Sequence, residues 1–267
     1  MSGKSIEMIN QHFLKKIVRQ AVFFVSLIAV WQCVFYFSTS VFHWWKPYAF
    51  PNPIGVWESL VALIEQNLLL SAVLVSMRRA FIGFFLALFI GTIIGLALAR
   101  IQILSLTLKS FILGIQSLPS VCWVPFAILW FGLTEKSIIF VVVMGSAFSI
   151  SIAVESAIRS VNPLYVKAAR TMGAKGKELY FRVVLPASLP ALTTGLKQGW
   201  SFAWRALMAA EVMSASIGLG QALMMGRDLA DINRVMLVIL IIILIGVLID
   251  KFVFSFAEER AFKRIGQ

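Results

Sequence analysis

One polar stretch organises the chain, NPLYVKAARTMGAKGKELYFRVVLP at residues 162–186. Asn162 is a favourable N-cap and Pro163 suits the first helical position, so a helix is predicted to begin here. Gly173 is predicted to end this helix, because glycine readily adopts the positive φ found at many helix C-termini. A second short helix is predicted over residues 175–184. The stretch therefore predicts a helix–turn–helix.

Two further features of this helix–turn–helix suit docking. Ala168 and Ala169 leave a nearly bare patch on the first helix, where a partner's backbone or aromatic groups can come close. Leu185 and Pro186 are predicted to end the second helix, because proline cannot donate a backbone hydrogen bond. Helices of this kind dock in grooves of partner proteins. We expect the segment to project from the chain as a docking element.

The sequence around this stretch is that of a membrane protein. Of its 267 residues, 60% are apolar and 13% are charged, against about 45–50% and about 25% in soluble domains. A spanning helix needs about 20 apolar residues, and six such runs fit this length. The predicted spans are residues 17–37, 80–99, 110–133, 138–157, 189–212 and 235–256. The fold class predicted is therefore all-α, with six transmembrane helices.

The distribution of charge predicts the orientation. The chain has 24 Lys and Arg against 12 Asp and Glu, and most of the basic residues fall on one side when six spans are threaded. Basic residues accumulate in cytoplasmic loops, so both termini and the loop 159–187 are predicted to be cytoplasmic. This bias accounts for the net charge of +12 without a nucleic acid, for which the sequence has no binding motif.

The predicted spans divide the chain into segments. The divisions are a cytoplasmic N-terminal segment (1–16), the first transmembrane helix (17–37), an extracytoplasmic loop with an amphipathic helix (38–79), a five-helix core (80–257) that includes the loop 159–187, and a cytoplasmic tail (258–267). The amphipathic helix is indicated by apolar residues at helical spacing after the break at Pro51 and Pro53.

Motifs for catalysis are missing from the sequence. It contains no Walker A, H-E-x-x-H or G-x-S-x-G motif, and no carboxylate pair for acid–base chemistry lies in a span. Cys33 and Cys122 lie in apolar runs without metal-site spacing, so both are predicted to be buried and no metal is expected. We expect a transport subunit, not an enzyme, that has no cofactor of its own and draws energy from another protein.

The polar stretch resembles the cytoplasmic loop of permease subunits of bacterial ATP-binding-cassette (ABC) importers, whose pattern is E-A-A-x3-G-x9-I-x-L-P. The matching residues are Lys167, Ala168, Ala169, Gly173, Val183, Leu185 and Pro186. Lys167 stands where the family has glutamate, and Val183 stands where it has isoleucine. The resemblance implies that six of these residues couple this chain to an ATPase. They are Lys167, Ala168, Ala169, Gly173, Leu185 and Pro186.

The resemblance extends from about residue 50 to residue 251 and is closest to the branch that handles sulfonates, taurine, nitrate and bicarbonate. The matching stretches are 50–53, 76–83, 118–125, 130–132, 195–197, 203–204 and 210–211. The resemblance implies the type I importer permease fold, with a second permease copy, expected as a homodimer. It also implies two ATPase subunits that hold ATP and Mg²⁺, and an extracytoplasmic substrate-binding protein that delivers a small anionic nutrient.

The fifth predicted span is polar, and charged residues within a membrane generally face a cavity or a partner. Trp200, Trp204 and Met208 lie on one stripe of this helix, with Arg205 beside them. This stripe is predicted to line the gate, with Arg205 attracting an anion. The alternative is that the tryptophans pack against neighbouring spans and that Arg205 is a structural strut.

The full set of candidates for the translocation path or gate comes from two spans. These are Pro119, Trp123, Pro125, Lys197, Trp200, Ser201, Trp204, Arg205, Met208 and Glu211. Prolines in a span free backbone groups that a cavity or a neighbouring helix must satisfy. The two prolines therefore predict a bent gate helix or, equally, a packing kink.

Two other functions stay open from the sequence. Relatives in the same family carry thiamine-pyrimidine precursors or other small solutes, so the resemblance does not fix the substrate. An autonomous secondary carrier would favour an internal repeat and coupling-ion sites at the membrane midplane. No convincing repeat is present, and such a carrier would leave the docking loop unexplained.

Overall fold

Helices account for the regular structure of the described chain. The structure, a computed structural model, describes residues 3–46 and 48–265, without side chains at residues 3–17, 21 and 263–265. The α-helices are α1 (Gly3–Tyr36), α2 (Pro53–Glu65), α3 (Leu68–Arg100), α4 (Gln102–Gln116), α5 (Val124–Phe131), α6 (Glu135–Arg159), α7 (Pro163–Thr171), α8 (Gly176–Leu179), α9 (Leu185–Val212), α10 (Leu219–Asp228), α11 (Ile232–Ile249) and α12 (Phe256–Ile265). Shorter helical turns lie at Phe37–Val41, Ser120–Trp123, Tyr180–Val184 and Asp250–Ser255.

Several of these helices have the length and composition of membrane spans. Five qualify within the described residues, and the number rises to six if α4 and the segment Ser120–Phe131 are counted as one span. The chain bends by 96° between these two helical pieces. The predicted all-α membrane fold is confirmed, and the chain bends sharply within the predicted third span, between α4 and Ser120, next to Pro119.

The chain divides into two compact units. The first contains residues up to 66 together with 225–238, and the second contains 67–224 together with 239–267. In the first unit, the Asn52 side chain accepts a hydrogen bond from the Gly55 N–H (2.6 Å) and so caps α2. The Asn52 N–H donates to Asn233 Oδ1 (3.0 Å), which fixes the start of α2 against the start of α11.

The core of the second unit is built on α6, against which α3 and α9 pack closely. A Cβ on Gly91 would lie 2.7 Å from the Ala147 carbonyl oxygen, and one on Gly95 would lie 2.6 Å from that of Ser151. The absence of side chains at these positions lets the backbones of α3 and α6 approach. Gly199 of α9 gives similar access to α6, because a Cβ there would lie 2.6 Å from the Ile150 side chain.

The structure differs from the sequence predictions at several boundaries. Helix α3 begins at Leu68, before the predicted residue 80, because apolar residues already face the core in its first turns. The predicted second loop helix does not end at Leu185 and Pro186 but continues into α9. Pro186 occupies the first turn of α9, where a missing N–H is tolerated, and the π-helical turn Tyr180–Val184 precedes it.

Both cysteines are exposed on the chain, so the prediction that they are buried is wrong. Cys33 lies on α1, whose apolar side chains from Val22 to Phe24 are also exposed in the single chain. Cys122 lies in the short turn Ser120–Trp123, at the bend of the broken span. An apolar run in a membrane protein predicts lipid or partner contact as much as burial inside the subunit.

Candidate functional site

The predicted docking helix is present as α7. The Asn162 side chain accepts a hydrogen bond from the Leu164 N–H (2.9 Å), which satisfies one of the free donors at the helix start. After the helix ends at Thr171, Gly173 adopts a φ of +92°, and a Cβ there would meet no atom within 4 Å. Glycine is therefore required by backbone conformation, not by crowding.

The docking helix presents an exposed surface in the described chain. Lys167 and Ala168 are exposed, and Ala169 is half-buried. Large apolar side chains flank the small residues: Leu164 is 65% exposed and Met172 is 87% exposed. Exposed apolar side chains around a bare alanine patch are typical of a surface that a partner covers.

The loop that carries α7 is tied to the spans at its entry. Arg159, the last residue of α6, pairs with Glu155 (2.7 Å) and donates to the Leu98 carbonyl of α3 (3.2 Å). Glu155 is 1% exposed and also pairs with Lys109 of α4 (2.7 Å). Glu155 thus ties α4 to the end of α6, and Arg159 ties that end to the last turn of α3, where the loop begins.

The loop is also continuous with a span at its exit. From Gly176 the chain runs without a break through Leu185 and Pro186 to Val212. The two residues that match the family pattern therefore lie in the first turn of α9. The part of the loop that follows Gly176 therefore belongs to the same helical run as α9, whereas α7 is joined to that run by the turn at residues 172–175.

The bend between α4 and α5 borders a cavity of about 350 Å³ whose lining combines polar and apolar groups. Several of the predicted path residues line it, namely Pro119, Trp123 and Arg205. Polar groups are contributed by Gln116, Ser117 and Ser120, and apolar walls are contributed by Met144, Phe148 and Phe202. Within this lining Arg205 is the charged residue. The volume falls in the range of about 300–1,000 Å³ for small-molecule sites.

Arg205 is exposed, and its described contacts leave its charge uncompensated. Its Nε donates to the Ser201 carbonyl (3.1 Å), and its guanidinium carbon lies 4.6 Å from the centre of the Phe202 ring. No carboxylate of the described residues lies within ion-pair distance of it. Ser201 is exposed on the same face of α9. In the cavity, Gln116 Oε1 is buried without a hydrogen-bond partner.

The other predicted path residues of α9 lie elsewhere. Trp200 is 3% exposed and Trp204 8% exposed, and Trp200 contacts Phe84 at 5.2 Å between ring centroids. These positions match the packing alternative that the sequence left open. Met208 packs against the same core. Lys197 pairs with Asp250 at 3.1 Å and does not line the cavity. Pro125, in the first turn of α5, does not line it either.

Glu211 is fully buried at the far end of α9, in a network that sequence reasoning missed. Its carboxylate accepts hydrogen bonds from Arg79 Nη1 (3.0 Å), Ser76 Oγ (2.7 Å) and the Gly220 N–H (3.1 Å). Arg79 is 3% exposed and also donates to the Ile217 carbonyl (2.7 Å). The network holds the 213–219 connection onto α3 and α9. A carboxylate at the end of an apolar run requires a cation, and this rule could have pointed to Arg79.

The candidate membrane spans and the helical loop at residues 162–186 are the features expected of a membrane transport subunit. Residues 87–258 match the family described as the inner membrane component of binding-protein-dependent transport systems. The chain belongs to this family, and it is a multi-pass inner membrane permease subunit of an ABC importer, not an enzyme.

Named relatives and a solved structure agree with this assignment. A putative ABC transporter permease of Methanocaldococcus jannaschii is 34% identical, over 71% of both chains. The putative aliphatic sulfonates permease SsuC of Escherichia coli is 31% identical, over 88% of this chain and 89% of the relative. The nitrate import permease NrtB of Synechocystis is 24% identical, over 91% and 89%. A solved amino acid ABC transporter, 16% identical, superposes with a TM-score of 0.59 over 75% of this chain and 97% of that one, which supports the type I importer fold.

Proposed function

We propose that this permease passes a small oxyanion of the sulfonate, taurine, nitrate or bicarbonate type. The observation that carries the proposal is Arg205, an uncompensated cation that lines the cavity next to the bend between α4 and α5. Gln116, Ser117 and Ser120 supply amide and hydroxyl groups around the same cavity. Relatives named for aliphatic sulfonates and for nitrate, both of which are oxyanions, support this substrate class.

In the proposed path, Pro119, Trp123, Ser201 and Arg205 border the route of the anion at the bend of the span. Pro125 keeps the bend open by starting α5 without a donor. The other candidates on α9 support the helices that carry this route, because their contacts lie within the subunit. They are Trp200, Trp204, Met208, Lys197 and Glu211.

For energy coupling, we propose that α7 docks in an ATPase subunit that holds ATP and Mg²⁺. The ATPase would be contacted by Lys167, Ala168 and Ala169. The turn after α7 would be set by Gly173. The motion would pass to α9 through Leu185 and Pro186. Two such ATPase subunits and a second copy of this chain, as a homodimer, complete the proposed assembly. Both termini and α7 then lie in the cytoplasm, and a substrate-binding protein delivers the anion on the other side.

The docking proposal is tested by co-purification of the full chain with an ATPase from native membranes. Gly173→Ala places a Cβ on a left-handed backbone, at a cost of about 1–2 kcal/mol. Gly114→Ala is the matched control, because its added Cβ also meets no atom within 4 Å but lies in the right-handed helix α4. We expect an ATPase to accompany the unaltered chain and Gly114→Ala, and to be depleted with Gly173→Ala. An unaltered chain that purifies without an ATPase would contradict the proposal.

A further inference from the structure

A second cavity, of about 830 Å³, lies between the ends of α3 and α9 that adjoin the docking loop. We call it the α3/α9 cavity. Its walls include Leu88, Leu96, Val154, Leu192 and Leu196. Along α3 it extends from Leu88 to Arg100, about 18 Å at 1.5 Å per residue. This depth is close to half of the roughly 30 Å hydrocarbon core, which is one leaflet.

The end of the α3/α9 cavity next to the docking loop is cationic. Arg100 closes α3 and Lys177 lies in α8, and both are exposed residues that line the cavity. Neither has a carboxylate within ion-pair distance among the described residues, whereas Arg182 in the same loop pairs with Glu178 (3.0 Å). The two charges are therefore free to bind an anion at the mouth of an apolar cavity.

Tyr180 adds a hydrogen-bonding group to this end. Its ring lies 5.2 Å from the guanidinium carbon of Arg100, and its hydroxyl is buried without a hydrogen-bond partner in the described chain. Buried polar groups are nearly always paired, so the unpaired hydroxyl of a ring that contacts Arg100 points to a missing hydrogen-bond partner. A phosphate oxygen would accept a hydrogen bond from this hydroxyl.

We propose that the α3/α9 cavity binds an anionic phospholipid, with the headgroup phosphate between Arg100 and Lys177 and one acyl chain along the leucine walls. The apolar length disfavours a free inorganic anion, because such an anion would leave the walls uncovered. The first helix of a second copy fits poorly, since the sequence near its polar end carries Lys15, Lys16 and Arg19, which the cationic mouth repels. The position of the headgroup in the cytoplasmic leaflet rests on the proposed function.

The proposal is tested by native mass spectrometry of the full chain in mild detergent, titrated with phosphatidylglycerol or with phosphatidylcholine of the same acyl chains. We expect the chain to retain phosphatidylglycerol preferentially. Each basic residue near an anionic headgroup contributes about tenfold or less, so Arg100→Gln with Lys177→Gln is expected to reduce that preference by about 30-fold. The matched control is Lys175→Gln with Arg182→Gln, which removes the same charge from the loop outside the cavity. Equal losses in the two double variants would overturn the proposal.

A second measurement distinguishes lipid binding in the cavity from lipid binding to surface charge. It uses the unaltered protein, so it does not depend on the folding of a variant. Phosphatidylglycerol with a photoreactive group in mid-chain is crosslinked to the unaltered protein, and the labelled peptides are mapped. We expect label on the α3 and α9 segments that contain Leu88, Leu192 and Leu196. Label confined to other helices would refute binding in the cavity. Neither measurement requires an ATPase, so failure of the lipid site is distinguishable from failure of the docking proposal.

Discussion

Replacing Glu211 tests whether this carboxylate holds the subunit together or lines the path. The Glu211→Gln change keeps the size of the side chain but removes its charge and puts an amide donor where an acceptor is required. Arg79 Nη1, Ser76 Oγ and the Gly220 N–H all donate to the carboxylate, so at least one donor loses its partner. Glu211 is fully buried and Arg79 is 3% exposed, so Arg79 is then left with Glu135, a 45% exposed carboxylate, as its remaining ion-pair partner among the described residues.

The expected cost of this change follows from that burial. Removing one partner of a buried pair costs about 3–5 kcal/mol. Glu135→Gln is the matched control, because Glu135 also pairs with Arg79 but is 45% exposed, and exposed pairs contribute about 0.2–1 kcal/mol. For a chain of this size, 1 kcal/mol shifts the melting temperature by about 2–4 °C. Glu211→Gln is therefore expected to lower it by on the order of 10 °C, and Glu135→Gln by no more than about 4 °C.

The assay is a thermal melt of the purified full chain in one detergent, with anion uptake in proteoliposomes measured alongside. If Glu211 is structural, Glu211→Gln lowers the melting temperature strongly, whereas uptake per folded molecule changes less. Equal melting temperatures for the two variants, together with loss of uptake only in Glu211→Gln, would refute the structural assignment. Glu211 would then belong to the path, as its place in the polar span predicted.

Two further changes extend the test to the cavity and the core. Arg205→Gln is expected to lower the maximal uptake rate of a labelled sulfonate with little change in melting temperature, because Arg205 is exposed and its described contacts are to its own helix. Arg205→Lys is expected to keep part of the rate. Equal rates for the unaltered chain and the two variants would remove Arg205 from the path. Gly95→Val is expected to cost about 1–3 kcal/mol of stability by overpacking against Ser151 and Val154, and an unchanged thermal melt would contradict the close packing of α3 on α6.

The sequence was informative where local chemistry decides the structure. The Asn162 cap and the positive φ of Gly173 depend on neighbouring residues alone, and both are present in the structure. The break of the third span followed from the backbone constraint that proline imposes, and Pro119 lies at that bend. Such features need no knowledge of distant contacts.

Contacts between distant segments could not be predicted in the same way. Glu211 and Arg79 are more than a hundred positions apart, and only the folded bundle brings them together. The stripe of Trp200 and Trp204 has the same helical spacing whether it faces a path or the core, so the pattern alone could not choose. The continuation of the loop into α9 depends on a π-helical turn, which has no simple sequence signal.

The central claim is that this chain moves its substrate only when an ATPase drives it through α7. The most direct test is uptake of a labelled small sulfonate into proteoliposomes that contain the chain, its co-purified ATPase and its substrate-binding protein. We expect uptake that requires ATP and Mg²⁺ and that is reduced by Gly173→Ala but not by Gly114→Ala. Uptake by the chain alone, driven by an ion gradient without ATP, would contradict it and identify an autonomous carrier.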